Sequence, residues 1–451
     1  MAEGPQGITA ITVGGYKSIR DETTIEIRPL TILAGTNCSG KSSIMQPMLM
    51  MKQTLDATYD PGPLSINGPN VRFTKYKQFV PRAHNDLDHI LVAGYETCFQ
   101  MFEYIGTLKL KSEFTVGESA YRKKELRLSR TTGNYYGQDF DMVPGMSSAE
   151  IIRQIETIFS NVSSVIEIEE AEIVSQRCFL YFGTIEKHSR PGRQYTIRIS
   201  NPFISPAIVL EPAIKNLIHV PGLRDNPLRS YPVAYVQGPG FPGQFQNYTG
   251  SLLLHWMEES DDRFVQVESD LTHLELTRWV KPERVDDANV EIQVGRLPVR
   301  ASENPKEDLV SIADVGIGVS QVLPVLVSLR AAEPGQLVYV EQPEMHLHPR
   351  AQVALATVLA DAAKRGVRVV VETHSSLLLQ GIMTLIAQDK LDHEDVMLHW
   401  FTRDKEGYTK VDSVEPDRNG AYGDWPEDFG DVELGIQKQH LDAVAEREFA
   451  T

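Results

Sequence analysis

One short segment of this sequence has the residue types and spacing needed to hold a chain of phosphates. Gly35, Gly40, Lys41 and Ser42 fill the fixed positions of the pattern G-x-x-x-x-G-K-[ST], between an apolar run that predicts a strand and a helical pattern that starts at residue 41. The glycines let backbone N–H groups turn towards an anion, and the helix start adds its positive end. The lysine would reach the β- and γ-phosphates, and the serine hydroxyl would bind Mg²⁺. The candidate ATP-binding residues are Gly35, Asn37, Cys38, Ser39, Gly40, Lys41, Ser42 and Ser43.

The alternative for this segment is a glycine turn with a chance lysine. The predicted strand before it and the predicted helix after it are the context that the motif requires, so we interpret it as a phosphate loop.

Two carboxylates follow a second apolar run, at residues 337–340. Glu341 stands at the predicted strand end, and Glu344 comes three residues later. A carboxylate at a strand end can hold a water on Mg²⁺, and another just beyond it can orient the attacking water. We therefore assign Glu341, with Ser42, to the metal site and Glu344 to the catalytic base. The alternative is an acidic turn in which Glu344 only caps the next helix.

A third apolar run, at residues 367–371, leads to His374. One strand and one helix after Glu344, this histidine is placed to sense the γ-phosphate or to steady the attacking water, and it is our second catalytic candidate. A hydrogen-bonded core histidine is the alternative.

Two further glycines, Gly316 and Gly318, precede a predicted helix. Glycines before a helix start form another anion-binding arrangement, which would make sense as a cap on the γ-phosphate of a neighbouring copy. The alternative is an ordinary turn.

The elements around these motifs predict a mixed α/β chain. Strands and helices alternate after residue 335, which predicts a parallel sheet, whereas residues 8–33 have the pattern of short antiparallel strands. Between residues 85 and 210, strand-like segments flank a predicted helix over 147–176, and we interpret this region as an inserted α+β domain. The predicted divisions are 1–84 and 211–435 for the two parts of the nucleotide-binding unit, 85–210 for the insertion and 436–451 for a tail.

Composition narrows the class of protein. With 451 residues, 41% hydrophobic and 23% charged, the chain is expected to be a soluble globular protein of two or three units. No apolar run approaches the roughly 20 residues that span a bilayer, and the first residues lack the pattern of a signal peptide. We therefore expect a cytoplasmic protein without a membrane partner. Cys38, Cys98 and Cys178 are scattered, which argues against disulfides and zinc.

The distribution of charge along the chain does not exclude nucleic-acid binding. A formal net charge of -17 repels nucleic acid on average. Two basic segments, 121–130 and 177–193, would form one positive patch if their strands lay side by side. The alternative is a solvated sheet face.

The order of the motifs resembles that of the ABC-type ATPase heads of RecF, SMC and overcoming-lysogenisation-defect (OLD) proteins. The segments 35–43, 341–349 and 373–375 are similar to those of AAA-type ATPases that are grouped with OLD proteins and abound in bacterial defence loci. The resemblance covers about residues 1–80 and 215–435. It implies an ABC-type P-loop head with a β-rich lobe and a parallel-sheet and helical lobe, and ATP held between two heads. Gly318, Ser320 and Gln321 would then touch the nucleotide of the partner copy.

Three functions remain open within this resemblance. The first is an ATPase that dimerises or oligomerises around ATP and controls a separate effector, a nuclease or toxin, in antiphage defence. The second is a RecF-like DNA-binding repair ATPase, and the third is an ATP-dependent scaffold with little turnover. OLD nucleases carry a C-terminal nuclease domain, but the carboxylates after His374 are dispersed and show no two-metal pattern. We therefore expect no nuclease domain in this chain.

Overall fold

The computed structural model describes residues 6–81, 91–101, 104–118, 124–159, 168–190, 193–200, 205–235, 238–296, 308–423 and 438–442. A six-stranded sheet organises the part that carries the motifs. Four of its neighbouring strand pairs are parallel, and the last pair at one edge is antiparallel. In spatial order its strands are β11 (Ile218–Val220), β16 (Leu337–Glu341), β17 (Arg368–Glu372), β3 (Leu30–Gly35), β18 (Val396–Arg403) and β19 (Thr409–Val414).

Both faces of this sheet are covered at its centre, which explains why the strands β16 and β17 are continuous apolar runs. Alternate side chains of a strand point to opposite faces, and in β16 Val338 and Val340 enter one hydrophobic core whereas Tyr339 enters the other. In β17, Val369 and Val371 share the first core and Val370 the second. A strand buried on both faces has no polar face to display.

Parallel pairing brings the motifs to one edge. Glu341 is the register partner of Glu372, and Glu372 is the partner of Leu33, two residues before Gly35. Because parallel strands end on the same side of a sheet, the segments that follow β3, β16 and β17 all start at the carboxyl ends of these strands. This confirms the predicted parallel sheet.

Eight complete α-helices lie within the described ranges. Helix α1 follows the phosphate loop as predicted, and its methionines Met45, Met48, Met50 and Met51 are all buried core residues. No helix in the described ranges is long and apolar enough to cross a membrane. The helices are α1 (Lys41–Asp56), α2 (Ser148–Ile158), α3 (Ala207–Lys215), α4 (Thr249–Glu258), α5 (Asp262–His273), α6 (Ile317–Ala331), α7 (Pro349–Lys364) and α8 (Ser376–Ala387).

The second large sheet is antiparallel and joins regions that we predicted to be separate. Strand β4, beyond the predicted boundary at residue 85, pairs with β1, and Tyr95 of β4 faces Ile11 of β1 within one core. The region therefore extends the β-rich lobe, because its first strand completes the hydrogen bonds of β1. The strands in order are β2 (Thr23–Glu26), β1 (Gly7–Gly14), β4 (Leu91–Met101), β5 (Tyr104–Glu118), β6 (Lys124–Tyr135) and β7 (Gln138–Met142).

Two small sheets complete the described fold. The predicted helix over 147–176 is wrong at its end, because residues 171–176 pair with the following strand and so form β8 rather than a helical turn. The helix itself ends at Ile158, after a start at which Ser147 and Glu150 form a capping box. One sheet contains β10 (Arg193–Ser200), β9 (Phe179–Arg190) and β8 (Ala171–Gln176), and the other contains β12 (Tyr231–Pro232), β14 (Asn289–Gly295), β13 (Val280–Arg284) and β15 (Leu309–Ser311).

Candidate nucleotide site

The phosphate loop lies between β3 and α1, and its two outer glycines are required by the backbone. Gly35 has a φ of 137°, and a Cβ there would stand 2.1 Å from the carbonyl oxygen of Phe401 on β18. Gly40 has a φ of 111°, and a Cβ there would stand 2.3 Å from the hydroxyl of Thr409. Both positions combine a left-handed conformation with a close approach, which only glycine tolerates.

Lys41 folds back over the loop. Its Nζ donates to the carbonyl oxygens of Gly35 (3.0 Å) and Thr36 (2.8 Å). Burial lowers the pKa of Lys41, and the nearby Glu372 carboxylate opposes that change. The cation is therefore held at the loop, where the terminal phosphates of a nucleotide would take over its two hydrogen bonds. Thr36, Asn37 and Cys38 are exposed, whereas Ser39 is buried.

The hairpin of β18 and β19 holds the loop from outside, a support that the sequence did not reveal. Arg403 Nε donates to the Cys38 carbonyl (2.6 Å), and the Thr409 hydroxyl donates to the Ser39 carbonyl (2.7 Å). The same hydroxyl lies 2.8 Å from the hydroxyl of Ser18. Because these residues come more than 360 positions after the loop, no local pattern could have indicated them.

The structure gives Ser42 a different acidic partner from the one we predicted. The Ser42 hydroxyl donates to Glu372 Oε1 (3.0 Å), and the Tyr339 hydroxyl donates to Glu372 Oε2 (2.9 Å). Glu341 is instead held by His219, whose Nε2 lies 3.2 Å from Oε1, and by the Gly222 N–H, which donates to Oε2 (3.0 Å). Glu372 was missed because it stands two residues before the more conspicuous His374.

The two carboxylates, Glu341 and Glu372, nevertheless interact. Burial raises the pKa of Glu372, and the negative charge of Glu341 raises it further. Burial also favours a raised pKa for Glu341, but the hydrogen bonds from His219 and Gly222 outweigh it and the pKa is lowered. A divalent cation beside Ser42 would remove the repulsion between these acids.

The donor set of Ser42, Glu372 and Glu341 fits Mg²⁺. All three supply hard oxygen atoms, and Mg²⁺ bound with a nucleotide typically uses one or two carboxylates, phosphate oxygens and water. Within the described ranges no group of three or more His, Cys, Asp and Glu side chains could hold a metal alone. Such a cation would therefore need the phosphates of the nucleotide as further ligands.

Glu344 lies deep in the site, beside the segment that carries His374. Its side chain is 7% exposed, and its Oε1 accepts hydrogen bonds from the Thr373 hydroxyl (2.7 Å) and the His374 N–H (3.0 Å). Burial raises the pKa of Glu344, and the hydrogen bonds together with the charge of Arg224 partly offset the rise. A carboxylate with a raised pKa and a free oxygen has the properties of a general base. Its Oε2 has no hydrogen-bond partner among the described residues.

The structure also rules out the alternative for Glu344. Helix α7 begins at Pro349, and its N-cap is His348, whose Nδ1 accepts the Arg350 N–H at 3.4 Å. Glu344 instead lies in a turn in which Gln342 and His346 both have positive φ values, 44° and 66°. Positive φ values are uncommon in non-glycine residues, and strained turns of this kind cluster at functional sites.

His374 reaches the phosphate loop. The Gly35 carbonyl, which Lys41 contacts, lies close enough to the His374 ring to favour its protonated form. Burial lowers the pKa of His374, and the Lys41 cation lowers it further. The structure thus brings together Lys41, His374 and Glu344, which come from three separate motifs.

Arg224 is the second residue that we did not assign to the site. Its guanidinium is 6% exposed, and its Nη2 donates to the carbonyl oxygens of Glu341 (2.8 Å) and Gln342 (3.2 Å). Burial lowers its pKa to about 10, so it stays positively charged near neutral pH. The segment from 219 to 224, which is the end of β11 and the loop after it, therefore contacts residues 341–346 (the acidic turn) through His219, Gly222 and Arg224.

The predicted partner-facing segment lies at the start of α6. Gly318 and Ser320 are partly exposed there, and the Ser320 hydroxyl donates to the Ile317 carbonyl at 2.8 Å. Gln321 differs from the prediction, because its side chain is 3% exposed and its Nε2 donates to the Asp225 carbonyl (3.3 Å). A buried side chain engaged within its own chain does not face a partner, so Gln321 is removed from the predicted contact set.

The described part of the basic segments does not form a free positive patch. Arg127 pairs with Glu125 at 3.1 Å, and Arg130 pairs with Asp141 at 2.6 Å. Arg177 points instead at the end of α1, where it donates to the Ala57 carbonyl at 2.9 Å. Residues 119–123 and 191–192, and the side chains of 185–190 and 193, lie outside the described part. Neighbouring acids neutralise Arg127 and Arg130, which weakens the case for nucleic-acid binding there.

Two sequence families match parts of the chain. Residues 7–129 match a family described as "AAA ATPase domain", and residues 245–380 match one described as "AAA domain, putative AbiEii toxin, Type IV TA system". The first match contains the phosphate loop, and the second contains the start of α6, Glu341, Glu344, Glu372 and His374. No curated protein sequence matches the chain.

Solved structures of SMC heads align with most of the chain at low similarity. The SMC head bound to the C-winged-helix domain of ScpA is 12% identical, with 91% of this chain and 98% of that chain covered and a TM-score of 0.45. The SMC head from Thermotoga maritima is 10% identical, with 91% and 99% covered and a TM-score of 0.38. TM-scores under 0.5 add nothing to the geometry above. The geometry and the two family matches together support a P-loop ATPase that is similar to AAA domains.

Proposed function

We propose that this protein hydrolyses ATP between two copies of itself and thereby controls a separate effector protein, in antiphage defence. One observation carries the hydrolytic part of the proposal. Four side chains from the carboxyl ends of three strands, or from the segments that follow them, lie together at the phosphate loop. They are Lys41, His374, Glu344 and Glu372. These are a phosphate-binding cation, a γ-phosphate neighbour, a base and a metal ligand.

Each group has a defined task in this proposal. The loop of residues 35–43 binds the phosphates of ATP, and Ser42, Glu372 and Glu341 hold Mg²⁺, directly or through water. A cation held there would supply positive charge against the negative charge that develops on the phosphates during transfer. Glu344 accepts a proton from the attacking water, and the neutral form of His374, which its lowered pKa favours, contacts the γ-phosphate.

The second copy supplies the start of α6. Gly318 and Ser320, with the backbone N–H groups of that helix end, would cap the γ-phosphate of the partner's ATP. A helix of 15 residues has a positive end suited to that task. In this arrangement, ATP binding closes two heads and hydrolysis separates them.

The second part of the proposal concerns the effector and the defence role. One matched family carries AbiEii toxin and a type IV toxin–antitoxin system in its description, which is compatible with a protein that acts beside a toxic partner. The effector in this proposal is a nuclease or toxin encoded next to this chain. Copurification of a neighbouring gene product, dependent on ATP, is the supporting result, and a purified protein that remains alone with and without ATP would count against it.

The experiment that tests nucleotide binding is the substitution Lys41→Ala. Removal of the cation that contacts Gly35 and Thr36 is expected to reduce ATP affinity below detection in isothermal titration calorimetry. Lys364→Ala, an exposed lysine at the last turn of α7, is the matched control and should bind ATP like the unchanged protein. Retained ATP affinity in Lys41→Ala would overturn the assignment of the loop.

A further inference from the structure

Arg224 holds the turn that carries two of the three acids of the site, Glu341 and Glu344. It comes from the loop after β11, far in sequence from residues 341 and 342, whose carbonyl oxygens it binds. Gln342, between Glu341 and Glu344, has a positive φ of 44°. A strained turn persists only when its surroundings hold it, and two charge-assisted hydrogen bonds to consecutive carbonyls are suited to that task.

The remaining donors of Arg224 face no partner among the described residues. Its Nε and Nη1 atoms are buried without a hydrogen bond, and so is Oε2 of Glu344. The two charges interact electrostatically, but these two described side chains form no direct ion pair. Buried donors and acceptors left unpaired destabilise the folded protein, and more so when they are charged. One water that bridges Arg224 and Glu344 would satisfy both sides.

A water in this position would be oriented to attack the γ-phosphorus of ATP. Glu344 Oε1 is occupied by Thr373 and His374, so Oε2 is the oxygen that is free to accept a proton. A water that donates to Oε2 and accepts from Arg224 keeps a lone pair for the γ-phosphorus. As that oxygen–phosphorus bond forms, the bond from phosphorus to the β–γ bridging oxygen breaks, the proton passes to Oε2, and ADP and phosphate result.

We infer that Arg224 is a positioning residue for ATP hydrolysis, which fixes the acidic turn and orients the water that Glu344 deprotonates. The inference rests on the proposed function, in which Glu344 is the base. Arg224 contacts the turn and not the phosphate loop in any described hydrogen bond, so it acts on the chemical step rather than on the binding of ATP.

The test compares three arginine variants by kcat, KM and ATP affinity. Arg224→Met removes the charge and keeps most of the bulk, and we expect kcat to fall about 10- to 100-fold while the Kd for ATP changes less than about threefold. Arg224→Lys keeps the charge and should recover part of that loss. The control is Arg368→Met, which removes a similarly buried arginine that binds the Gln6 and Ile27 carbonyls at the other end of β17. It should lower Tm but leave kcat unchanged.

A double variant separates positioning from general damage. Arg224→Met should lower kcat no further in a Glu344→Gln background. In that background no carboxylate accepts the proton of the water, so its orientation no longer affects the rate. A wild-type kcat in Arg224→Met, or equal fold losses in both backgrounds, would overturn the inference. If Arg224→Met does not fold, Arg224→Lys decides: a wild-type kcat in that variant overturns the inference. Wild-type hydrolysis by Glu344→Gln alone would instead overturn the proposed function.

Discussion

At the scale of single residues, the site is a set of buried charges that partly neutralise one another. Glu372 accepts from Ser42 and Tyr339, Glu341 from Gly222, and Glu344 from Thr373 and His374. Burial disfavours the ionised form of each acid. The protein compensates with directed hydrogen bonds and, for Glu344, with the charge of Arg224. The Glu341 and Glu372 pair remains the place where another positive charge is most needed.

This charge distribution predicts the effect of Glu372→Gln. Loss of one carboxylate that contacts Ser42 should raise the Mg²⁺ concentration for half-maximal ATP hydrolysis about 10- to 100-fold. The measurement is a Mg²⁺ titration of the hydrolysis rate at saturating ATP. The control is Glu394→Gln, which changes an exposed acid just before the start of β18, at the opposite end of the parallel strands. The same Mg²⁺ midpoint in Glu372→Gln and the unchanged protein would exclude Glu372 from the metal site.

At the scale of elements, the phosphate loop depends on the hairpin of β18 and β19 as much as on β3 and α1. The hairpin supplies the Phe401 carbonyl against which only a glycine fits, and hydrogen bonds to the carbonyls of Cys38 and Ser39. The acidic turn likewise depends on the loop after β11. Elements remote in sequence therefore fix backbone conformations that the local sequence merely permits.

The hairpin contact can be tested with Thr409→Val. This change keeps the shape of the side chain but removes the donor to the Ser39 carbonyl, and a lost buried hydrogen bond costs about 1–3 kcal/mol. We expect ATP affinity to fall about 5- to 100-fold, as measured by calorimetry, since the loop loses its preorganised shape. Thr384→Val, which removes a hydroxyl on an exposed face of α8, is the control. Equal ATP affinities in both variants would show that the hairpin does not shape the loop.

At the scale of the whole molecule, the described chain carries both the phosphate loop and the helix start that we propose contacts a partner copy. Gly318 and Ser320 stand at the start of α6, and Arg229 pairs with Asp314 just before it, with N–O distances of 3.0 and 2.7 Å. The same loop carries Arg224 and the carbonyl that Gln321 binds. In the proposed dimer, a partner that contacts α6 would therefore act on the acidic turn through the loop that carries Arg224.

The dimer is tested by Glu344→Gln in the presence of ATP and Mg²⁺. Without its base the protein should bind ATP, hydrolyse it at least about 100-fold more slowly and accumulate as a closed dimer. Light scattering after size-exclusion chromatography measures the mass with and without ATP. Ser320→Arg in the same background should remain monomeric, since a bulky cation at the start of α6 would obstruct the contact. A single mass under all conditions would contradict ATP-dependent dimerisation.

Much of the fold and part of the site could be predicted from the sequence. Strands β3, β16 and β17 and helices α1, α7 and α8 follow from apolar periodicity and from local start signals. The prediction of a helix over 147–176 was wrong at its end, because the residues of β8 pair with β9 despite their local helical pattern. The pairing of β4 with β1 was not predicted, since nothing in residues 91–101 indicates that β1 is their partner.

The sequence by itself determined the phosphate loop and the strand-end positions of Glu341, Glu344 and His374, because each depends on a few consecutive residues and the hydrophobic run beside them. The tertiary structure alone decided that Ser42 meets Glu372, that Arg224 holds the acidic turn and that Gln321 is buried. Ser42 and Glu372 are 330 positions apart, and Arg224 and Glu341 are 117 apart. Such contacts depend on which strands become neighbours, and strand order is set by the packing of the whole sheet rather than by any local pattern.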